Sequence, residues 1–499
     1  MSTFSPKKSN TFCRHFSNTM DQSLLLELLN SLTPTEKQLV LELKDIKFFN
    51  NGKLRKLASQ LLDICVSAES SKLDKTHVFE QIFPGSAFIE GKLEKVMVEA
   101  LKLVKTTLLV ADLLKEDKSV SHQTTLAKIF LSKGLEKRFQ IQLAKAQKSL
   151  QEVTKNKDYF NQLVEIENIT HEYDCISNQK KGDLNLTKLL LSIDIKNKFD
   201  YVILLNRLLL QQRMSKLNIP SKLIEVIESF SIESESLQES PILEANYLIF
   251  KLLRNILPEP SGIQNLLDFI KKFEPQIDQE SLQEFYAYAR NLCVIHMNND
   301  IENKEIGDIL NDLYKDNLER GLLHYNGRLH PSRYWAVSSN AIRVKDFNWA
   351  KKFIEKYKDH IIGENETKDI YRLNMANYFF GIREYLNCLD HLPASSPFLD
   401  YQLHGKRLEL MALYESESEF LSYKLDAFKV FLSRTSPKIL AEDVRQVNAD
   451  FVNFLVQIVS SVPGDLKRAD TVIRRLKEKK RVAEWRWLMD KAEQLKRKP

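Results

Sequence analysis

Three stretches of the sequence share one pattern: SSNAIRVKDFNWA (residues 338–350), ANYFFGIREYLNC (residues 376–388) and MALYESESEFLSY (residues 411–423). An acidic residue followed by an aromatic residue stands at the same place in each, as Asp346-Phe347, Glu384-Tyr385 and Glu419-Phe420. The aromatic positions are 38 and then 35 residues apart, which is close to the period of a two-helix repeat. The recurrence therefore predicts helical hairpins that follow one another along the chain.

These segments resemble tetratricopeptide repeats. In that family a small residue on the first helix packs against a small residue on the second, and an aromatic residue at the start of the second helix fills the gap to the next hairpin. The register is matched by Ala376, Phe379, Tyr385 and Cys388. The third copy departs from it at the large residues Met411 and Tyr423, and no copy keeps the family's glycine before the second helix. Residues 317–350 also resemble an uncharacterised bacterial helical-repeat family, a likeness that implies no activity.

Glycine and proline are scarce, which favours long helices. The 499 residues include 13 Gly and 14 Pro, or about 5%, where average usage gives roughly 12%. Breaks at residues 218–220, 239–241, 258–262 and 275 separate segments short enough to pack antiparallel. We therefore expect an all-α protein, arranged as a right-handed superhelical array of antiparallel helical hairpins.

The same breaks predict how the chain is divided. The first residues are Ser-rich and polar, and an apolar pattern begins after Met20, so the choice between Met1 and Met20 as the true start stays open. Thr33-Pro34-Thr35-Glu36 predicts a capping box at a helix start. The expected segments are a disordered extension (residues 1–20), an N-terminal helical module (21–117), irregular hairpins (118–240), tetratricopeptide-like repeats (241–464) and a basic capping helix (465–499).

Charge is concentrated at one end of the chain. The formal net charge is +6, with 13 basic and 6 acidic residues from residue 465 onward, so this segment carries +7 and the rest sums to −1. The five cysteines are widely spaced, which favours reduced thiols and a cytoplasmic location. No window approaches 18 consecutive apolar residues, and the first residues lack the apolar stretch of a secretory signal.

Familiar catalytic motifs are excluded by spacing. No two glycines lie closer than six positions, so the G-x-G-x-x-G, G-x-S-x-G and phosphate-loop patterns cannot form. His171-Glu172 is followed at the required spacing by Cys175 rather than a second histidine. A metal or catalytic pair could be formed by His324 and His330, and the expected alternative is an ordinary turn between two helices. A nucleophile could be formed by Cys388 near Asp390 and His391, and the expected alternative is core packing of Cys388. We expect no metal, cofactor or catalytic residue, and keep a hydrolase with an unrecognised site as a third alternative.

A stacked array leaves an extended concave surface, which is typical of proteins that bind peptides or other proteins. The family register implies that one hairpin presents Trp335, Ser339, Ile342 and Arg343 to this surface, and that the next presents Leu373, Asn377 and Phe380. Trp335 would be an aromatic anchor, and Arg343 with Asn377 would donate hydrogen bonds to the backbone or to a carboxylate of a partner. The plainer interpretations are inter-helix core for Trp335 and solvated surface for Arg343.

The basic end of the chain supports an alternative function. Leu466, Ala469, Ile473, Leu476, Ala483 and Trp487 form one apolar stripe on a helix otherwise covered with basic residues. Such a helix can cap the array, and its last basic residues complement the helix dipole. It can also contact nucleic acid phosphates through Arg474, Arg475, Lys477, Lys479, Lys480 and Arg481, or lie on a membrane surface.

Overall fold

The computed structural model is all-helical, which confirms the expected all-α class. It describes residues 20, 23–67, 73–89, 91–115, 119–177, 182–214, 217–229, 240–255, 259–299, 304–363, 367–394, 398–462, 464–479 and 481–497. Within these ranges it contains twenty-three α-helices, two short 3₁₀-helices and a single pair of two-residue strands. Of the expected extension over residues 1–20, all but Met20 lie outside the described residues.

The chain divides into two compact units. Unit one comprises residues 1–153 and 161–192, and unit two comprises residues 154–160 and 193–499. The helices α8 (Lys157–Ser177) and α9 (Leu186–Met214) contribute residues to both units.

Unit one begins with five helices around one core. Helix α5 contacts α1, α2 and α3, and its buried Val96 and Ala100 share an apolar cluster with Leu61 of α3 and Phe79 of α4. Helices α6 and α7 then pack against each other as a hairpin. The bounds are α1 (Leu24–Ser31), α2 (Pro34–Leu43), α3 (Arg55–Ser67), α4 (Lys75–Ile82), α5 (Lys92–Lys115), α6 (Val120–Ser132) and α7 (Glu136–Leu150).

The start of α2 confirms the predicted capping box. The Glu36 amide donates to the Thr33 hydroxyl at 3.3 Å, and the Thr33 amide donates to the Glu36 carboxylate at 2.9 Å. The helix ends at Leu43. The Asn50 side chain donates to the Lys44 carbonyl at 2.6 Å, so that carbonyl has a partner without a further helical turn.

From α11 (Pro241–Arg254) onward, unit two is a succession of helices in which each contacts the next along the chain. Several helices two apart also touch, among them α11 with α13, α15 with α17, α17 with α19 and α21 with α23. The bounds are α10 (Ser221–Glu228), α11 (Pro241–Arg254), α12 (Pro260–Phe273), α13 (Gln279–Asn299), α14 (Lys304–Glu319), α15 (Pro331–Arg343), α16 (Phe347–Tyr357), α17 (Thr367–Gly381), α18 (Tyr385–His391), α19 (Leu399–Glu415), α20 (Leu421–Arg434), α21 (Glu442–Val459), α22 (Leu466–Glu478) and α23 (Trp485–Gln494).

Three successive hairpin turns share one backbone conformation. Lys345, Arg383 and Glu417 have positive φ angles of 64°, 66° and 52°. Each amide donates to the carbonyl three residues earlier, and the next amide donates to the carbonyl five residues earlier, which is the Schellman arrangement at a helix end. The turn therefore keeps the left-handed geometry that glycine favours, although the residues are Lys, Arg and Glu.

Two of the three sequence copies pack as the register implies, and the third does not. Ala350 and Cys388 are fully buried, whereas Tyr423 at the equivalent position is 71% exposed. The Phe347 ring lies against the neighbouring hairpin, where a β-carbon placed on Gly381 would be 3.1 Å from Cε1. Phe420, which begins the third pattern's second helix, is 60% exposed.

Buried asparagines join helices that are two apart. In each of three cases the side-chain amide donates to the carbonyl four residues earlier in its own helix, and the side-chain oxygen accepts from the helix two before it. The acceptors and their donors are Asn246 with Asn206, Asn374 with Ser338, and Asn448 with Arg407. The same polar link thus recurs from one end of unit two to the other.

Two local features differ from the sequence interpretation. The expected single basic helix over residues 465–499 is two helices, α22 and α23, because Glu484 adopts a left-handed conformation (φ 52°) and α23 turns back on α22. The indole Nε1 of Trp485 donates to the Leu476 carbonyl at 2.9 Å and so satisfies the last turn of α22. Asn326-Gly327, both with positive φ, connect the strands β1 (His324–Tyr325) and β2 (Arg328–Leu329).

Candidate binding groove

A groove of about 660 Å³ lies within unit two between α15, α19, α21 and the connection to α23. Its aromatic wall joins helices four apart in the sequence: the Trp335 ring centroid is 4.5 Å from that of His404 and 5.8 Å from that of Tyr401. We call this cavity the aromatic groove. Its other lining residues include Pro331, Phe398, Leu403, Arg407, Val444, Val447, Asn448, Ala483 and Glu484.

A compact polar network lines one side of the aromatic groove. Arg407, whose side chain is 16% exposed, donates from Nε to Glu484 at 2.9 Å and from Nη1 to Asn448 at 2.7 Å. Its Nη2 lies 3.4 Å from Nδ1 of His404. These contacts hold α19, α21 and the connection before α23 in a fixed arrangement.

The network fixes the charges of its members at neutral pH. Burial lowers the pKa of the His404 imidazole to about 4, so this ring is neutral. Burial alone would raise the pKa of the Glu484 carboxyl, but nearby Arg407, together with His404, holds it below its ordinary value. This network therefore contains one ion pair and one uncharged imidazole.

The tautomer of His404 follows from its neighbour. A guanidinium can only donate, so the contact with Arg407 makes Nδ1 of His404 the acceptor and leaves the proton on Nε2. Nε2 is buried and has no hydrogen-bond partner among the described residues. A concave site with an aromatic wall and a few placed polar groups is typical of ligand and peptide binding.

Of the four predicted partner-binding residues, only Trp335 is among the residues that line the aromatic groove. Arg343 is exposed at the end of α15, where partial desolvation and nearby Arg486 lower the pKa of its guanidinium. Asn377 is half-buried on α17, and Phe380 packs against Tyr385 with ring centroids 5.6 Å apart. Leu373 is buried, so the expectation that it faces an open groove is wrong.

The six basic residues of the alternative function also separate. Arg474 is exposed, and Arg475 donates to Gln457 at 2.8 Å and lies 5.9 Å from the Phe454 ring centroid. Lys480 lies outside the described residues. The remaining three, Lys477, Lys479 and Arg481, line a second cavity of unit two.

The weak catalytic and metal candidates have structural roles. His330 begins α15, and its Nδ1 accepts from the Ser332 amide at 3.3 Å, whereas the His324 ring packs near Tyr357. Cys388 is fully buried, and burial raises the pKa of its thiol to about 12, which agrees with the expected packing role. A search of the described residues finds no group of three His, Cys, Asp or Glu side chains placed to hold a metal ion.

A second cysteine–histidine pair lies in unit one on α8. Nδ1 of His171 is 2.8 Å from the Leu184 carbonyl, so it donates and leaves Nε2 as the possible base. The Cys175 sulfur is nearly equidistant from the two ring nitrogens, at 3.8 and 3.7 Å. A sulfur in that position is not aligned with the Nε2 lone pair, so the pair does not have the geometry of a nucleophile and its base.

Most of the aromatic groove was missed by the sequence interpretation. Tyr401, His404 and Arg407 stand three residues apart on α19, a spacing that puts them on one helix face and that could have identified them. They lie in the first half of α19, before Met411, where the third copy of the sequence pattern begins. Asn448 and Glu484 come from segments without a repeat register, so no local pattern points to them.

Comparison of the chain with family models, with curated proteins and with solved structures gave no match. Among the described residues, no helix combines the length and the apolar character needed to cross a membrane.

Proposed function

We propose that unit two is a helical-repeat scaffold, a right-handed superhelical array of antiparallel hairpins similar to tetratricopeptide repeats. The proposal is supported by the ordered contacts between successive helices, by the three left-handed turns, and by the asparagine links at Asn246, Asn374 and Asn448. Each of these recurs with the hairpin, as expected where stacking of similar units builds the core.

The scaffold binds a peptide segment of a partner protein in the aromatic groove, without catalysis. The observation that carries this proposal is the wall of Trp335, Tyr401 and His404 beside the Arg407–Glu484 ion pair. A large apolar side chain of the partner fits this wall. Tryptophan, tyrosine and arginine in such pockets contribute most of the energy at many interfaces. The wide cysteine spacing supports a cytoplasmic site of action.

A peptide-display selection on the full-length protein tests the proposal. Selected peptides should share a large apolar residue, and Trp335→Ala should weaken their binding at least tenfold, which corresponds to about 1.4 kcal/mol. The matched control is Trp349→Ala, because Trp349 is half-buried on α16 and stacks on Phe353 outside the groove. Failure to select any peptide, or equal losses in the two variants, would refute peptide binding in this groove.

A further inference from the structure

The second cavity of unit two is a basic cleft of about 880 Å³. It is formed by the ends of α9 and α13 and by the connection between α22 and α23. Four of its lining residues are cationic, namely Arg213, Lys477, Lys479 and Arg481. None of the described lining residues is acidic.

Most of this positive charge has no acidic partner among the described residues. Lys479 is paired with the Asp450 carboxylate at 2.7 Å. Arg213 instead donates to the backbone carbonyls of Leu253 and Asn255, both at 2.7 Å, which orients its guanidinium without neutralising it. Lys477 and Arg481 are exposed and form no ion pair with the residues that the structure describes. About three charges of the cleft therefore have no acidic partner in the part of the chain that the structure describes, and the cleft suits an anionic ligand.

An aromatic ring and two amides accompany the cations. Trp485 lines the cleft, and its indole is fixed by the hydrogen bond from Nε1 to the Leu476 carbonyl. Gln212 and Asn298 add side-chain amides to the lining. Cationic side chains beside an aromatic ring are the combination that holds phosphates and stacks bases in proteins that bind single strands. Amides add hydrogen bonds to the edges of a base.

We propose that the basic cleft binds a nucleotide, either free or as one unit of a single strand. The phosphate contacts Arg213, Lys477 and Arg481, and the base lies against Trp485. The volume is in the range of small-ligand sites. This inference is independent of peptide binding in the aromatic groove, and it moves the expected nucleic-acid contact away from the helix surface of Arg474 and Arg475.

Binding measurements on the full-length protein test the proposal. The probes are fluorescein-labelled oligouridylate and oligothymidylate of about ten residues, ATP and UTP, and inorganic phosphate as a reference. We expect the joint substitutions Lys477→Glu and Arg481→Glu to raise the Kd of the nucleotide probe at least tenfold. Lys477→Arg should leave it nearly unchanged. If the charge reversal does not fold by circular dichroism, Lys477→Gln with Arg481→Gln replaces it.

The matched control reverses two other exposed charges near the end of the chain, Lys467→Glu with Arg497→Glu. Lys467 is ten residues before Lys477, about 15 Å along a helix, and neither control residue lines the cleft. Tight binding of the oligonucleotides alone identifies a strand, and tight binding of ATP or UTP alone identifies a free nucleotide. The proposal is overturned if no nucleotide probe binds, if phosphate binds as well as the nucleotides, or if both variant pairs lose affinity equally.

Discussion

Three single residues, Lys345, Arg383 and Glu417, occupy backbone positions that cost energy for any residue with a β-carbon. The left-handed conformation costs such a residue roughly 1–2 kcal/mol. The hydrogen bonds of the turn and the packing of the following helix maintain it. The absence of glycine here weakened the sequence resemblance, although the conformation that glycine would favour is present at all three turns.

Glycine at these turns should stabilise unit two. Glycine removes the backbone strain of the left-handed conformation, but it also loses more conformational entropy on folding, which offsets part of this gain. We therefore expect each of Lys345→Gly, Arg383→Gly and Glu417→Gly to raise the free energy of unfolding by about 0.5–1 kcal/mol. The control is Lys352→Gly at an exposed position within α16, which should lower it by about 1 kcal/mol. Urea unfolding measures both. A loss of stability in the three turn variants would contradict the claim that these residues are strained in the wild-type protein.

His404 should make the protein less stable in mild acid. The unfolded chain takes up a proton near pH 6.5, whereas the buried imidazole resists protonation until about pH 4. Stability is therefore complete above pH 6.5 and falls by up to about 3 kcal/mol as the pH drops toward 4. Glu484, whose folded pKa is below its ordinary value, contributes stability that is fully present above that ordinary value and is lost only as the pH falls below it. His404→Gln should flatten the pH dependence of the unfolding free energy, and His391→Gln, outside the groove, should leave it unchanged.

At the scale of helices, contact between α15 and α17 depends on a residue without a side chain. A β-carbon on Gly381 would lie 2.7 Å from Cγ2 of Ile342 and 3.1 Å from Cε1 of Phe347. We expect Gly381→Ala to lower the free energy of unfolding by about 1–2 kcal/mol, because overpacking outweighs the gain in helix propensity.

Gly405 on α19 is the matched control for this substitution. A β-carbon there would be in ordinary contact with Leu373 at 3.6 Å. Gly405→Ala should raise the free energy of unfolding by about 0.5–1 kcal/mol, again measured in urea. If Gly381→Ala also stabilises the protein, the close approach of α15 and α17 is not needed.

Helix boundaries could be predicted where a local signal decides them. Thr33 with Glu36 marked the start of α2, and the prolines at 241 and 260 begin α11 and α12. The division between α22 and α23 could not be predicted, because the apolar stripe continues in phase through it. The break there depends on tertiary contacts, the Trp485 bond to Leu476 and the Glu484 bond to Arg407.

At the scale of the whole chain, the all-helical class follows from composition and period, but the aromatic groove follows from long-range folding. The repeat register identified Trp335 because its own helix carries the pattern. The partners of Trp335 lie 66 and 69 residues further on, at Tyr401 and His404, and Glu484 closes the network from near the end of the chain. Contacts between residues so far apart along the chain leave no periodic pattern in a single sequence from which they could be predicted.

The short segment of residues 481–485 separates the aromatic groove from the basic cleft. Ala483 and Glu484 face the aromatic groove, Val482 and Trp485 face the basic cleft, and Val447, whose carbonyl accepts from the Ala483 amide at 3.3 Å, borders both. A ligand that displaces this segment from one cavity changes the volume of the other cavity. Thermodynamic linkage then requires each ligand to change the affinity of the other by the same factor. The binding of a peptide would therefore change the Kd of a nucleotide, and the reverse, through the five residues 481–485.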